Sequence, residues 1–70
     1  MSKVTIKLRD GREYKFRYVR YMSFNAENNE FWLLRWIYKN NLERRQQEES
    51  FKLNDIEYFL VDKMQSYRQW

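Results

Sequence analysis

A strict two-residue alternation, interrupted by the only glycine in the chain, constrains this sequence more than any other feature. Val4, Ile6 and Leu8 alternate with Lys3, Thr5, Lys7 and Arg9, and after Asp10-Gly11 the pattern resumes as Tyr14, Phe16 and Tyr18 against Lys15 and Arg17. A period of two sends successive side chains to opposite faces of a strand, so the segment reads as a half-buried hairpin. Turn chemistry decides its register. A two-residue loop at Asp10-Gly11 would set Ile6 opposite Lys15 and mix apolar with charged residues. A three-residue loop of Arg9, Asp10 and Gly11, with Gly11 in the left-handed bulge conformation, sets Ile6 opposite Tyr14 and Val4 opposite Phe16. The second register separates the faces and predicts strands over residues 3–9 and 12–19.

From Val19 the alternation slips, and residues 20–30 read as a connection. Residues 31–39 place Trp32, Leu34, Trp36 and Tyr38 on one face of a strand and Phe31, Leu33, Arg35 and Ile37 on the other. A helix competes, because Phe31, Leu34, Tyr38 and Leu42 also fall at helical spacing. The aromatic and branched residue types and the Asn40-Asn41 stop favour the strand. The charge run over residues 43–50 reads as a solvated loop or outer strand, and residues 51–53 as a brief edge strand. Asn54 with Glu57 three positions on is a helix-start signal. Ile56, Phe59, Leu60, Met64 and Tyr67 then continue at helical spacing, with Lys63 and Arg68 toward the end where the helix dipole favours cations.

The expected architecture is therefore α+β: a small antiparallel sheet of three or four strands, starting with the bulged hairpin, and one C-terminal helix over residues 55–68 packed on it. Two alternatives stay open. One is a strand over 56–61 with Ile56, Tyr58 and Leu60 inward and a tail beyond; the other is a wholly β small barrel.

Seventy residues with one Gly, no Pro and no shift of composition leave room for a single domain spanning 1–70. Domains of this size bury only about 60% of the surface exposed by the unfolded chain. Without Cys or His, disulfide and soft-metal staples are absent, and 5 Phe, 6 Tyr and 3 Trp must supply the core instead. That aromatic content also argues against disorder. No apolar run reaches the ~18 residues that span a bilayer, and the first residues lack the apolar stretch of a signal peptide. A cytoplasmic protein is expected, and the lack of Cys agrees with a reducing compartment.

Catalysis is approached by subtraction. Lack of His and Cys removes the Ser-His-Asp and Cys-His constellations, the thiolate nucleophile and the soft zinc site. The single Gly is spent in the hairpin, so there is no glycine-rich phosphate loop. Neighbouring acids Glu48 and Glu49 point to opposite faces of a strand, and Asp55 and Glu57 are accounted for by a helix N-terminus. The expectation is a non-enzyme with no cofactor, no metal and no small-molecule substrate.

Binding remains. Residues 1–22 hold seven Lys or Arg against two acids, and residues 23–70 seven against eight, so the overall +4 sits in the hairpin. Lys3, Lys7, Lys15 and Arg17 share its solvent face, with Arg20 at the end, and such a ribbon suits a row of phosphates. The plainer account is a charged outer face kept for solubility, or one covered by Glu48 and Glu49 of a neighbouring strand. A segment apolar on both faces leaves surface that one helix cannot cover, and exposed patches of that kind mark interfaces. The leading expectation is an interaction module that binds a protein partner, or itself as a homo-oligomer, through Phe31, Trp32, Leu34, Trp36 and Tyr38. The alternative is sequence-independent nucleic-acid binding through Lys3, Lys7, Lys15, Arg17 and Arg20. No membrane partner is expected.

The stretches VTIKLRDGREYKF (4–16) and SFKLNDIEY (50–58), together a third of the chain, resemble small accessory proteins of Gram-positive bacteriophages and related mobile elements. The resemblance implies a small protein that binds host or phage macromolecules and carries over no catalytic residues. It leaves out residues 63–70, in tension with a C-terminal helix.

Overall fold

The computed structural model describes residues 1–40 and 42–63. Five strands, β1 (Ser2–Leu8), β2 (Glu13–Asn25), β3 (Glu30–Tyr38), β4 (Arg44–Lys52) and β5 (Ile56–Lys63), form one antiparallel sheet. One turn of 3-10 helix, η1 (Leu53–Asp55), links β4 to β5. The order β4-β3-β2-β1-β5 is a meander whose last strand returns to the free side of β1.

The first hairpin follows the register that segregates its faces: Ile6 pairs with Tyr14 and Val4 with Phe16. Gly11 has φ 101°, and its N–H donates to the Leu8 carbonyl at 3.0 Å. Asp10 tightens the turn by accepting from the Arg12 backbone N–H at 3.0 Å and from its Nε at 2.8 Å.

Strand β2 does not stop at residue 19. It continues to Asn25, and the slip in alternation is a pair of register shifts, one against β1 between Phe16 and Val19 and one against β3 between Val19 and Tyr21. Tyr18 sits at the first with φ 58°. Bulges bend a strand and raise its twist. They also let Val19 and Met22, three residues apart, face the same core. The segment expected over 31–39 is strand β3, as its residue types favour, with bounds Glu30–Tyr38, and the charge run is the edge strand β4.

The expected α+β arrangement is overturned. Residues 56–63 are β5, paired to β1 from Leu8↔Ile56 to Ser2↔Lys63, and η1 is the only helical element among the described residues. Met64, Tyr67 and Arg68, the rest of the expected stripe, lie outside the described residues. Two physical reasons account for the strand. Without β5, the second side of β1 would present a row of unpaired backbone groups inside the molecule. A register shift between Lys7 and Leu8 also puts Ile56 and Phe59 on one face, imitating helical spacing. Asn54 caps no helix; its own N–H donates to Asn29 Oδ1 at 3.0 Å. The strand alternative had the right element and the right facing for Ile56, which is buried, but not for Tyr58 and Leu60, which point outward while Phe59 and Val61 lie opposite buried Ile6 and Val4. The structure is wholly β in its strands but open, with no ladder between β4 and β5 among the described residues.

The sheet curls over its own inner face. Val4, Ile6, Leu8, Phe16, Val19, Phe31, Leu33 and Ile56 are buried there, with Tyr14, Met22, Phe51 and Leu53 packed against them. Phe51 of β4 reaches Tyr14 and Phe16 of β2, with ring centroids 5.4 and 6.0 Å apart. Arg35 closes the inner face on the β4 side, its guanidinium 4.9 Å from the Phe16 ring and its Nη2 2.8 Å from Glu49 Oε2. At the other end Asn29, with φ 54°, accepts the Leu53 N–H on its carbonyl, and Arg9 donates its N–H to Asp55. Curl and tie together do the covering that a helix was expected to do.

Candidate functional site

The outer face of β3 carries Trp32, Leu34, Trp36 and Tyr38, because their neighbours Phe31 and Leu33 are fully buried on the inner one. The flanking strands add residues at fixed positions. On β4, Ser50, Glu48, Gln46 and Arg44 lie opposite Trp32, Leu34, Trp36 and Tyr38 in turn, and on β2 Tyr21 lies opposite Leu34.

Trp36 is the centre of this surface. The Arg44 guanidinium lies 4.2 Å from its ring centroid and the Arg20 guanidinium 4.9 Å, one from each flanking strand. Both are within the ~6 Å at which a cation is attracted by the negative face of an aromatic ring. Arg20 also lies 5.3 Å from the Tyr21 ring. Tyr18 meets Tyr38 edge-on at 4.8 Å, and the Arg17 guanidinium is 5.9 Å from Tyr18. The Trp32 indole N–H donates to the Glu48 carboxylate. The result is a strip of alternating cations and rings across β2, β3 and β4.

Of the residues expected at a protein interface, Phe31 is instead core: it is fully buried, because an inner-face position opposite Phe24 and Phe51 gives it no route to the surface. Trp32, Leu34 and Trp36 are half-buried and Tyr38 is exposed, all on the outer face. Of the expected phosphate-binding set, Lys15 and Arg17 are exposed on the outer face of β2. Lys3 and Lys7 are half-buried and face acids, Lys3 opposite Asp62 and Lys7 opposite Glu13. Carried past Val4↔Phe16, the hairpin register would set Lys3 opposite Arg17, but the shift at Tyr18 breaks the ladder there. Glu48 and Glu49 do not cover the hairpin, since Glu48 serves Trp32 and Glu49 serves Arg35 across on β4. Arg20 leaves the basic row to join the aromatic strip.

Tyr18, Tyr21 and Arg44 are site residues that the sequence pattern did not single out. Arg44 had a findable signal, since a hairpin turn after Lys39 brings the charge run that follows beside Tyr38. Tyr18 and Tyr21 had none, because the bulges that orient them show only as broken periodicity.

Among the described residues no cluster of His, Cys, Asp or Glu could hold a metal ion, and no helix is long and apolar enough to cross a membrane. No protein-family model matches this chain, and no curated protein or solved structure matches it at a significant level.

Proposed function

We propose that this protein is a small β-sheet module that binds single-stranded nucleic acid on the outer face of β2, β3 and β4, with little sequence preference. The observation that carries the proposal is Trp36 held between Arg20 and Arg44. Proteins that hold single strands without reading sequence combine a cationic track for the backbone with ring surfaces on which bases stack. A guanidinium resting on a ring keeps its edge donors available, and their planar fork matches phosphate oxygens. Lys15 and Arg17 continue the track along β2, and Tyr21 and Tyr38 offer exposed rings beside it. Phosphate contact along the hairpin alone is the weaker form of the idea, because Lys3 and Lys7 are half-buried and lie opposite the acids Asp62 and Glu13 in the ladders. A cytoplasmic, non-catalytic role goes with this proposal.

The test is titration of the protein with single-stranded and duplex oligonucleotides, followed by tryptophan fluorescence. Single strands should bind more tightly and quench the signal. Their affinity should fall with salt by a slope of about 0.7 per neutralised phosphate, so that three contacts give about −2. Absence of binding to either form at about 50 mM salt, where electrostatic attraction is least screened, overturns the proposal.

A further inference from the structure

We infer that β5 is a self-association edge: two copies pair their β5 strands antiparallel about a two-fold axis at Leu60, joining two five-stranded sheets into one continuous sheet. The two edges of the sheet are unlike. β4 carries Arg44, Arg45, Glu48 and Glu49, and charge of this kind keeps edge strands from pairing with other chains. Among the described residues β5 is bonded to β1 on one side only, and its centre is Tyr58, Phe59, Leu60 and Val61, four successive apolar residues that are all exposed, Leu60 by 55%. Backbone groups along its free side need a partner, and the side chains beside them need cover.

The charges at the ends of the strand select a second copy as that partner and set the register. Cross-strand neighbours in an antiparallel pair share a face. An axis at Leu60 therefore places Leu60 against the partner's Leu60 on the outer face and Phe59 against the partner's Val61 on the inner face. The same axis brings acidic Glu57 beside the partner's Lys63 at both ends of the ladder. Moving the axis to Phe59 or Val61 keeps the faces matched but sets Glu57 against Val61, or Lys63 against Phe59. The Leu60 axis alone sets Phe59, Leu60 and Val61 against apolar partners in the middle and opposite charges at the ends, with Tyr58 beside the partner's Asp62, where a phenol O–H can donate to the carboxylate. Because such an axis runs through the sheet, the outer faces of both copies lie on one side.

Light scattering and sedimentation of the full chain from about 1 to 200 μM, the range that brackets micromolar affinity, test this. Wild type should reach twice the chain mass of 9.0 kDa. Leu60→Lys, which places like charges on the axis at an exposed position, should give the single-chain mass with an unchanged circular dichroism spectrum. Glu57→Lys should weaken association at least about tenfold by setting two cations together, and Glu57→Lys with Lys63→Glu should restore it. A wild type of single-chain mass throughout overturns the inference. So does a dimer indifferent to Leu60→Lys, a double charge reversal that fails to restore pairing, or a dimer lost in Trp36→Ala, which would place the interface on the outer face of β3.

Discussion

Phe59 of β5 stacks on Phe31 of β3 with ring centroids 5.8 Å apart and planes 25° from parallel, although β1 and β2 lie between those strands in the sheet. Strands three places apart cannot touch in this way across a flat sheet, because neighbouring strands are about 4.8 Å apart. The contact exists because β2 is bulged and the sheet folds over its inner face, so that β5 lies where a covering helix would otherwise be needed.

The two rings should differ in worth. Phe31 is fully buried, so Phe31→Ala should destabilise the fold by about 3–5 kcal/mol, as deletion of a core aromatic does. Phe59 is 38% exposed, and Phe59→Ala should cost about 1–2 kcal/mol by the same scale discounted for the surface it keeps in water. Urea denaturation of both variants measures the difference, and equal costs would show that β5 is packed differently.

Gly11→Val should lower stability by at least ~1 kcal/mol, because a branched residue resists positive φ. An added Cβ would meet nothing within 4 Å, so the whole loss is conformational and not a clash. Gly11→Asn should therefore recover much of it, since Asn tolerates the left-handed region. Thermal melting compares the three proteins, and an unchanged midpoint for the valine variant would contradict the turn geometry.

The Asp10 carboxyl should titrate below its ordinary value of 3.8, held down first by the Arg12 backbone N–H and then by the Arg12 side chain. A depressed value in the folded state means that the unfolded state binds the proton more tightly. The contribution of Asp10 to stability is thus fully present above 3.8 and is lost as pH falls through the lowered value. Carboxyl NMR should show this midpoint, and Arg12→Ala should raise it partway, since the backbone bond survives. A midpoint at or above 3.8 would mean that the turn does not hold the carboxylate.

Arg35 and Glu49 should show a coupling of about 1 kcal/mol in a double-mutant cycle, a modest value for side chains still 26% and 24% exposed. Arg35→Lys should fall short of wild type, because an ammonium lacks the flat group that lies on Phe16. Full stability in the lysine variant would reduce the contact to simple charge pairing.

Arg20→Ala and Arg44→Ala should each weaken single-strand binding similarly for pyrimidine-rich and mixed oligonucleotides, Tyr21→Ala should weaken it by about tenfold, the loss of one stacked base, and Trp36→Ala should weaken it at least as much as either arginine change, because it removes the ring that seats both guanidiniums. Lys3→Ala should change little, since Lys3 lies on β1, away from the strip, and opposite Asp62. Fluorescence anisotropy separates these outcomes. Equal loss from Lys3→Ala and Arg44→Ala would move the binding track to the hairpin.

The parts of this fold that were legible in the sequence are those where one period governs. Val4, Ile6, Tyr14 and Phe16 obey it, and a single glycine leaves one register that separates oil from water. β3 was legible because aromatic and branched residues fill both of its faces. β5 was not, because the bulge beside Glu57 makes Ile56 and Phe59 share a face at helical spacing, and a capping pattern at Asn54 strengthened the wrong reading. The extent of β2 was hidden in the same way, since the bulges at Tyr18 and Arg20 look like the end of a strand. The candidate site was half visible. Trp32, Leu34, Trp36 and Tyr38 follow from alternation, whereas the meeting of Arg20 with Trp36 depends on bends that no periodicity reports.

The return of β5 to β1 has a consequence for how the chain is made. Ladders from β1 to β4 join neighbours in sequence and can form as those segments leave the ribosome. The β1 strand, made first, must wait for its second partner until residue 63 has been added, because Ser2 pairs with Lys63. Closing so distant a ladder is the slow step expected of non-local pairing. Until then an apolar strand end is open to any other nascent chain, so the interval between the first strand and the last is when this protein is most exposed to misassembly.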